Sequence, residues 1–213
     1  PLTVLKGYTE TLLTLDNELT GKIQKPISQM DMQVQRMEVL VRDLLWLSRI
    51  ESVETREKTG SVNMAGLVEE VAYYLGAVWP ERKIEVDCTE TDDIRGDFME
   101  LQSAVSNLIV NALKYSDSEH PVSVRWFEDA GQKLILEVSD RGEGIASEHL
   151  PRLTERFYRV EKSRSQQTGG TGLGLAIVKH VAAAHQAELQ IESELAIGST
   201  FRLVFANAAL NIV

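Results

Sequence analysis

From Ile27 onward the chain repeats apolar residues at strictly alternating spacings of three and four: Ile27, Met30, Val34, Met37, Val41 and Leu44. That alternation is the heptad seam of a coiled coil or antiparallel bundle. A flanking row, Leu40, Leu45 and Leu47, widens the stripe beyond a two-stranded seam. An earlier stripe, Leu5, Tyr8, Leu12, Leu15 and Leu19, has the same spacings, with Gly21 and Pro26 expected to interrupt the helix between them. Two helices cannot bury so wide an apolar face between themselves. The pattern therefore predicts a helical hairpin over residues 1–57 that a second copy completes into a four-helix bundle.

The periodicity changes after the polar stretch 51–60. A helix is expected over 64–79, with Leu67, Val68, Val71 and Leu75 on one side, and another over 98–115, with Leu101, Val105, Leu108 and Leu113. A third helix is expected over 172–185. Alternating segments at 83–88, 122–127, 134–138, 189–194 and 200–205 read as strands, several joined as hairpins. Helices with mostly hairpin-linked strands predict an α+β sandwich, helices covering one face of a mixed sheet. The expected organisation is a hairpin at 1–57, a linker at 58–60, a sandwich at 61–206 and a tail at 207–213.

The charge follows the same division. Residues 1–60 carry 8 Lys/Arg against 9 Asp/Glu, whereas the remainder carries 14 against 23. So acidic a surface argues against a nucleic-acid or anionic-lipid partner. Cys88 is the single cysteine, so neither an intrachain disulfide nor a thiolate zinc site is expected. No apolar run approaches the roughly 18 residues of a membrane span, and the N-terminus does not read as a secretory signal. Beginning at Pro1 without a methionine, the chain reads as a soluble piece of something larger, from a reducing compartment.

Four clusters could carry chemistry. Gly169–Leu175 (GGTGLGL) opens a helix, where glycines allow close backbone approach and helix-start amides attract phosphate. Neither a P-loop lysine follows it nor a strand immediately precedes it, and a plain helix start is the alternative. Asp140-Arg-Gly142-Glu-Gly144-Ile145 follows a strand; its carboxylate could accept from an exocyclic amine such as adenine N6, or it could be a solvated turn. Asn107 and Asn111 lie one helical turn apart with Lys114 beside them. Their carbonyl oxygens suit Mg²⁺, the alternative being a buried structural amide pair. Finally Arg152, Arg156, Arg159, Lys162 and Arg164 face only Glu155 and Glu161 in the connection leading to the glycines. That run is either a solvated charged loop or a local positive field beside an anion site.

In this order and spacing the four clusters resemble the two-component sensor histidine kinases, whose ATP-binding domain shares its fold with gyrase, Hsp90 and MutL. Asn107–Tyr115 is similar to the family's N box, Asp140–Ile145 to its G1 box, Arg156–Arg159 to its F box, and Gly170–Leu175 to its G2 box. Gly198-Ser199-Thr200-Phe201 resembles the last box, and the hairpin matches the dimerisation and phosphoacceptor domain. Residues 152–180 most resemble the phosphate-limitation sensors of that family.

The resemblance implies a Bergerat-type (GHKL) α/β sandwich with ATP and Mg²⁺ as its cofactors. It implies that Asn107 and Asn111 hold Mg²⁺, Lys114 reaches phosphate and Tyr115 packs on adenine. Asp140 would bind adenine N6, with Gly142, Gly144 and Ile145 shaping that pocket and Thr200 close by. Arg159 would approach the γ-phosphate, Gly170, Thr171, Gly172, Leu173 and Gly174 would cradle the phosphates, and 146–169 would form a mobile lid. The implied partners are a second copy of the chain and a response-regulator receiver domain, with membrane attachment only through other segments.

By the same resemblance the phosphoacceptor histidine would lie five residues before Pro1, so the chain is expected to bind ATP without phosphorylating itself at the family position. His120, His149, His180 and His185 read as ordinary loop and helix residues. The hydrolysing relatives place a Glu where Asn107 stands; an amide is a poor base, which favours transfer over hydrolysis. An ATP-gated clamp, or a non-catalytic dimeric scaffold that binds ATP, are the rival readings.

Overall fold

A computed structural model of the chain describes residues 2–14, 21–51, 60–89, 93–160 and 170–205. It divides into two units, Pro1–Trp46 and Leu47–Val213, the division falling inside the second helix.

The first unit is a pair of helices, α1 (Leu2–Thr14) and most of α2 (Gly21–Glu51). Contrary to the sequence expectation, Pro26 does not interrupt α2. It is the sixth residue of the helix, so the amide hydrogen it lacks forfeits one bond close to the helix start, where the ladder is only beginning. Leu15 and Leu19 of the first stripe lie outside the described residues. The helices are tied by Thr9, whose buried hydroxyl lies 2.8 Å from Asp31 Oδ1, and by Lys6–Glu38 at 3.4 Å. Of the α2 seam only Ile27 and Val34 are buried. Met30, Met37, Val41 and Leu44 stay exposed, as do Leu5, Tyr8 and Leu12 on α1.

In the second unit a five-stranded sheet has the order β2-β4-β5-β7-β6, formed by β2 (Ile84–Cys88), β4 (Val122–Glu128), β5 (Leu134–Asp140), β6 (Ala187–Glu194) and β7 (Gly198–Phe205). Only the β2–β4 pair is parallel. A second, two-stranded sheet pairs β1 (Gly60–Asn63) with β3 (Asp93–Gly96). That sheet has no sequence signal, because four residues are too few to display an alternation. Three helices follow the predicted spans closely: α3 (Met64–Val78), α4 (Phe98–Tyr115) and α5 (Gly174–Ala184). Caps set two of the starts. Asn63 Oδ1 accepts from Gly66 N at 2.6 Å, and Asp97 Oδ1 accepts from Met99 N and Glu100 N at 2.9 and 3.1 Å.

Period-2 alternation gives the sheet one apolar and one charged face. Val122, Val124, Trp126, Leu136, Val138, Phe201 and Leu203 are buried, with Trp126 edge-on to Phe205 at 5.7 Å. On the opposite face each strand contributes one charge to a ladder of alternating sign. Asp87–Arg125 (3.8 Å), Arg125–Glu137 (3.4 Å), Glu137–Arg202 (2.7 Å) and Arg202–Glu192 (2.8 Å) cross all five strands. On the apolar side α4 packs against both α3 and α5 and against β5, with Leu101, Val105, Leu108 and Leu113 at most 1% exposed. This central position is what places the residues at the end of α4 against the ends of the strands. No helix among the described residues is long and apolar enough to cross a membrane.

Candidate functional site

At the end of β5 Asp140 shares the strand parity of Leu136 and Val138, so it faces the helical layer, where burial pushes its carboxyl up to about 6. The backbone N–H of Ser199 and the charge of Arg82 oppose that rise. The loop after Asp140 is pinned on two sides. Tyr115 O accepts from Glu143 N at 3.4 Å and Asp117 N donates to Arg141 O at 3.1 Å, the two bonds that pair Ser116 with Gly142. On the other side Ile145 N donates to Ser193 Oγ at 2.8 Å, and Ala196 N donates to Glu143 O at 2.8 Å. Two glycines make this approach possible. A Cβ on Gly142 would strike Tyr115 O, and one on Gly144, whose φ is +64°, would strike Glu194 O.

The second focus is the start of α5. Phe157 N donates to Gly172 O at 2.8 Å, and Arg159 donates through Nη1 to Gly170 O, so the 156–159 segment is fastened to the glycine run. A Cβ on Gly170 would lie 3.4 Å from the Tyr115 hydroxyl and 3.6 Å from Arg159 Nη2. One on Gly174 would lie 2.7 Å from Asn107 Oδ1. Residues that are 67 positions apart in the chain therefore meet at one helix N-terminus. Asn107 Nδ2 donates back to Ser103 O at 2.9 Å, which turns its carbonyl oxygen toward Gly174. Asn111 and Lys114 follow on α4, both half-buried. The residues fit the group that the resemblance implies. A hard amide oxygen would suit a cation such as Mg²⁺ and a run of helix-start amides would suit phosphate, and among the described residues no His/Cys/Asp/Glu group could hold a metal by itself.

Three predicted residues are also engaged within the fold itself. Thr200 lies on the charged side of the sheet and pairs with Ser139 Oγ at 3.0 Å, whereas the buried Ser199 is the residue across from Asp140. Leu173 is fully buried and its N–H is taken by Thr171 Oγ1 at 3.2 Å, so its side chain belongs to the core. Thr171 thus serves the loop's own geometry. Lys162, Arg164 and Gly169 lie outside the described residues, as does most of the second half of the expected lid. A cleft of about 720 Å³ at this end of the sheet is lined by Glu85, Ser123, Ser139, Glu192 and Thr200 as well as Asp140 and Arg141, so it opens on the charged face, on the other side of the sheet from the helical layer, and reaches none of the residues around Gly170–Gly174. Tyr115 links the two groups, its backbone oxygen held by the Asp140 loop and its hydroxyl lying near Gly170.

Sequence reasoning passed over Ser199 and Arg82. Strand parity would have identified the first, since Ser199, Phe201 and Leu203 share a face; nothing local identifies the second. Of the histidines, buried His185 is structural. Its Nε2 accepts from Asp97 N at 3.0 Å and its Nδ1 lies 2.8 Å from Val181 O, tying the end of α5 to the cap of α4.

Residues 96–209 match the family of histidine kinase-, DNA gyrase B- and HSP90-like ATPases, and residues 1–53 match the His Kinase A (phospho-acceptor) domain. The chain belongs to the sensor histidine kinases. Among relatives of this histidine kinase core is the phosphate regulon sensor protein PhoR of Pseudomonas aeruginosa, 42% identical over 210 residues, which are 98% of this chain and 47% of that protein. PhoR of Haemophilus influenzae is 40% identical over 96% of this chain and 48% of its own length. The core thus spans about half the length of these relatives. A structure of full-length ShkA in complex with AMPPNP covers 95% of this chain and 43% of its own, with a TM-score of 0.71 and 25% identity. Acinetobacter baumannii histidine kinase AdeS shares the fold over 99% of this chain at a TM-score of 0.68.

Proposed function

We propose that the second unit binds ATP with Mg²⁺, adenine against Asp140 and the triphosphate against the start of α5. In the parent protein the γ-phosphoryl would pass to a histidine of a dimeric helical bundle, then to an aspartate of a response regulator. The convergence of Asn107, Tyr115, Arg159, Gly170 and Gly174 at one helix N-terminus carries this reading.

Within it, Asp140 accepts from the adenine amine, and Gly142 and Gly144 keep the loop close enough to exclude side chains from the pocket. Asn107 and Asn111 offer amide oxygens, and Lys114 and Arg159 offer positive charge, to Mg²⁺ and the phosphates. Bound Mg²⁺ would supply neutralisation of the triphosphate charge. Asn107 cannot take a proton from water as a carboxylate would, which favours transfer to a protein acceptor over hydrolysis. The exposed seam of α2 supports dimerisation through the hairpin, and the PhoR relatives support a role in phosphate-limitation signalling.

Calorimetry of the chain with ATP tests the binding site. Binding is expected to need Mg²⁺ for full affinity, and Asn111→Ala should remove most of that dependence. Binding of ATP no tighter than of inorganic triphosphate would sink the adenine assignment. Phosphotransfer is tested on the full-length protein with γ-labelled ATP, followed by transfer to the phosphate-regulon regulator in preference to an unrelated one.

A further inference from the structure

Arg82 stands in the turn between α3 and β2, in a stretch, Trp-Pro-Glu-Arg-Lys, that reads as a solvated loop. Its guanidinium is spent on the end of another element. Nη1 donates to Leu113 O at 2.7 Å and Ser116 O at 3.2 Å, while Nη2 donates to Asp117 O at 3.0 Å and to Ser116 Oγ. The backbone oxygens lie at and just beyond the C-terminus of α4, where carbonyls lack partners within the helix and the helix dipole is negative. The segment so clamped, 113–117, includes Lys114 and Tyr115 and makes two backbone hydrogen bonds to the loop that follows Asp140, pairing Ser116 with Gly142.

We propose that Arg82 is a positioning residue of the adenine pocket, clamping the end of α4 onto the Asp140 loop and holding its guanidinium charge at that strand end. This rests on the reading of Asp140 as the adenine acceptor. The charged and titratable groups near the same strand end are Lys114, Tyr115 and Asp117 at the end of α4, His120 beside Asp117, Arg141 and Glu143 in the loop, Glu85 on β2, and Glu192 and Glu194 on β6. Burial is the largest influence on the carboxyl and raises it; the backbone N–H of Ser199 and, after it, the charge of Arg82 lower it. Removing the guanidinium therefore moves Asp140 from about 6 further up, toward the pH at which the site would work. A protonated Asp140 is a weaker acceptor, so the loss of affinity becomes dependent on pH. A purely architectural arginine would weaken binding equally at every pH.

The test uses Arg82→Gln, Arg82→Lys and Asp140→Asn with two readouts. One is titration of the Asp140 carboxyl by carbon NMR in the nucleotide-free chain; the other is ATP affinity between pH 5.5 and 8.5. Arg82→Gln, which loses both charge and fork, should raise the Asp140 midpoint and weaken ATP binding about tenfold at pH 6 but only about threefold at pH 8.5, where the lost clamp alone remains. Arg82→Lys, which keeps the charge but not the fork, should leave the midpoint near wild type and lose affinity to a similar degree at all pH values. An unchanged midpoint in Arg82→Gln, or an affinity loss independent of pH, overturns the proposal. If Asp140→Asn binds ATP like wild type, the adenine reading fails. The NMR titration still decides whether Arg82 controls the carboxyl.

Discussion

Helices α2 and α4 carry the same apolar spacing and meet opposite fates. On α4, Leu101, Val105 and Leu108 are at most 1% exposed under α3, α5 and the sheet. On α2, Met30 is 62% and Val41 45% exposed. Periodicity thus identifies which face wants to be covered, but not whether the cover comes from the same chain. For α4 the cover is local in the fold. For α2 a second copy supplies it under the reading proposed above, since a lone hairpin leaves more apolar area in water than a soluble surface usually shows.

This contrast can be broken most forcefully at the sandwich core. Trp126→Ala removes a fully buried ring packed on Phe205, and should cost about 4 kcal/mol in chemical denaturation of the second unit. An effect under about 1 kcal/mol would mean the core is not closed as described. The corresponding change on the exposed seam, Val41→Asp, should leave ATP binding unchanged and weaken dimerisation by roughly 100-fold, or about 3 kcal/mol. Sedimentation equilibrium measures it, and a monomeric wild type would refute the bundle.

Two smaller effects sharpen the comparison within the sandwich. Asp140 has its folded value raised from 3.8 to about 6, so the unfolded chain ionises first and stability is lost as pH rises through that window. Asp140→Asn should therefore raise the melting temperature of the nucleotide-free protein by roughly 2 °C at pH 7.5 while weakening ATP binding. A lower melting temperature would contradict the desolvation described here. Smallest is the charge ladder. Arg202→Met should cost about 1 kcal/mol, and a double-mutant cycle with Glu137→Gln should show coupling that shrinks in high salt. Absence of coupling would reduce the ladder to uncoupled surface charges.

Much of this was legible in the residues. The α3 and α4 spans, the five long strands and the order of the motif clusters all follow from apolar period and turn chemistry, because those patterns are local. Pro26 misled because its cost depends on where the helix begins, which is set several residues earlier. The β1–β3 pair went unread because strands of four residues carry too little pattern. Thr200 was singled out by motif wording, whereas pairing in the sheet puts Ser199 opposite Asp140.

The sequence by itself therefore determined the α+β class and the identity of the clusters that converge. Each of these depends on residues within about one or two turns or one strand of each other. The tertiary structure decided which members of each cluster share a site. It turned Asn107 Oδ1 toward Gly174 across 67 residues, moved Leu173 into the core, and brought Arg82 from a distant turn to the carbonyls of α4. Such contacts are long-range, and a side chain that serves by binding another element's backbone leaves no periodic trace in its own neighbourhood.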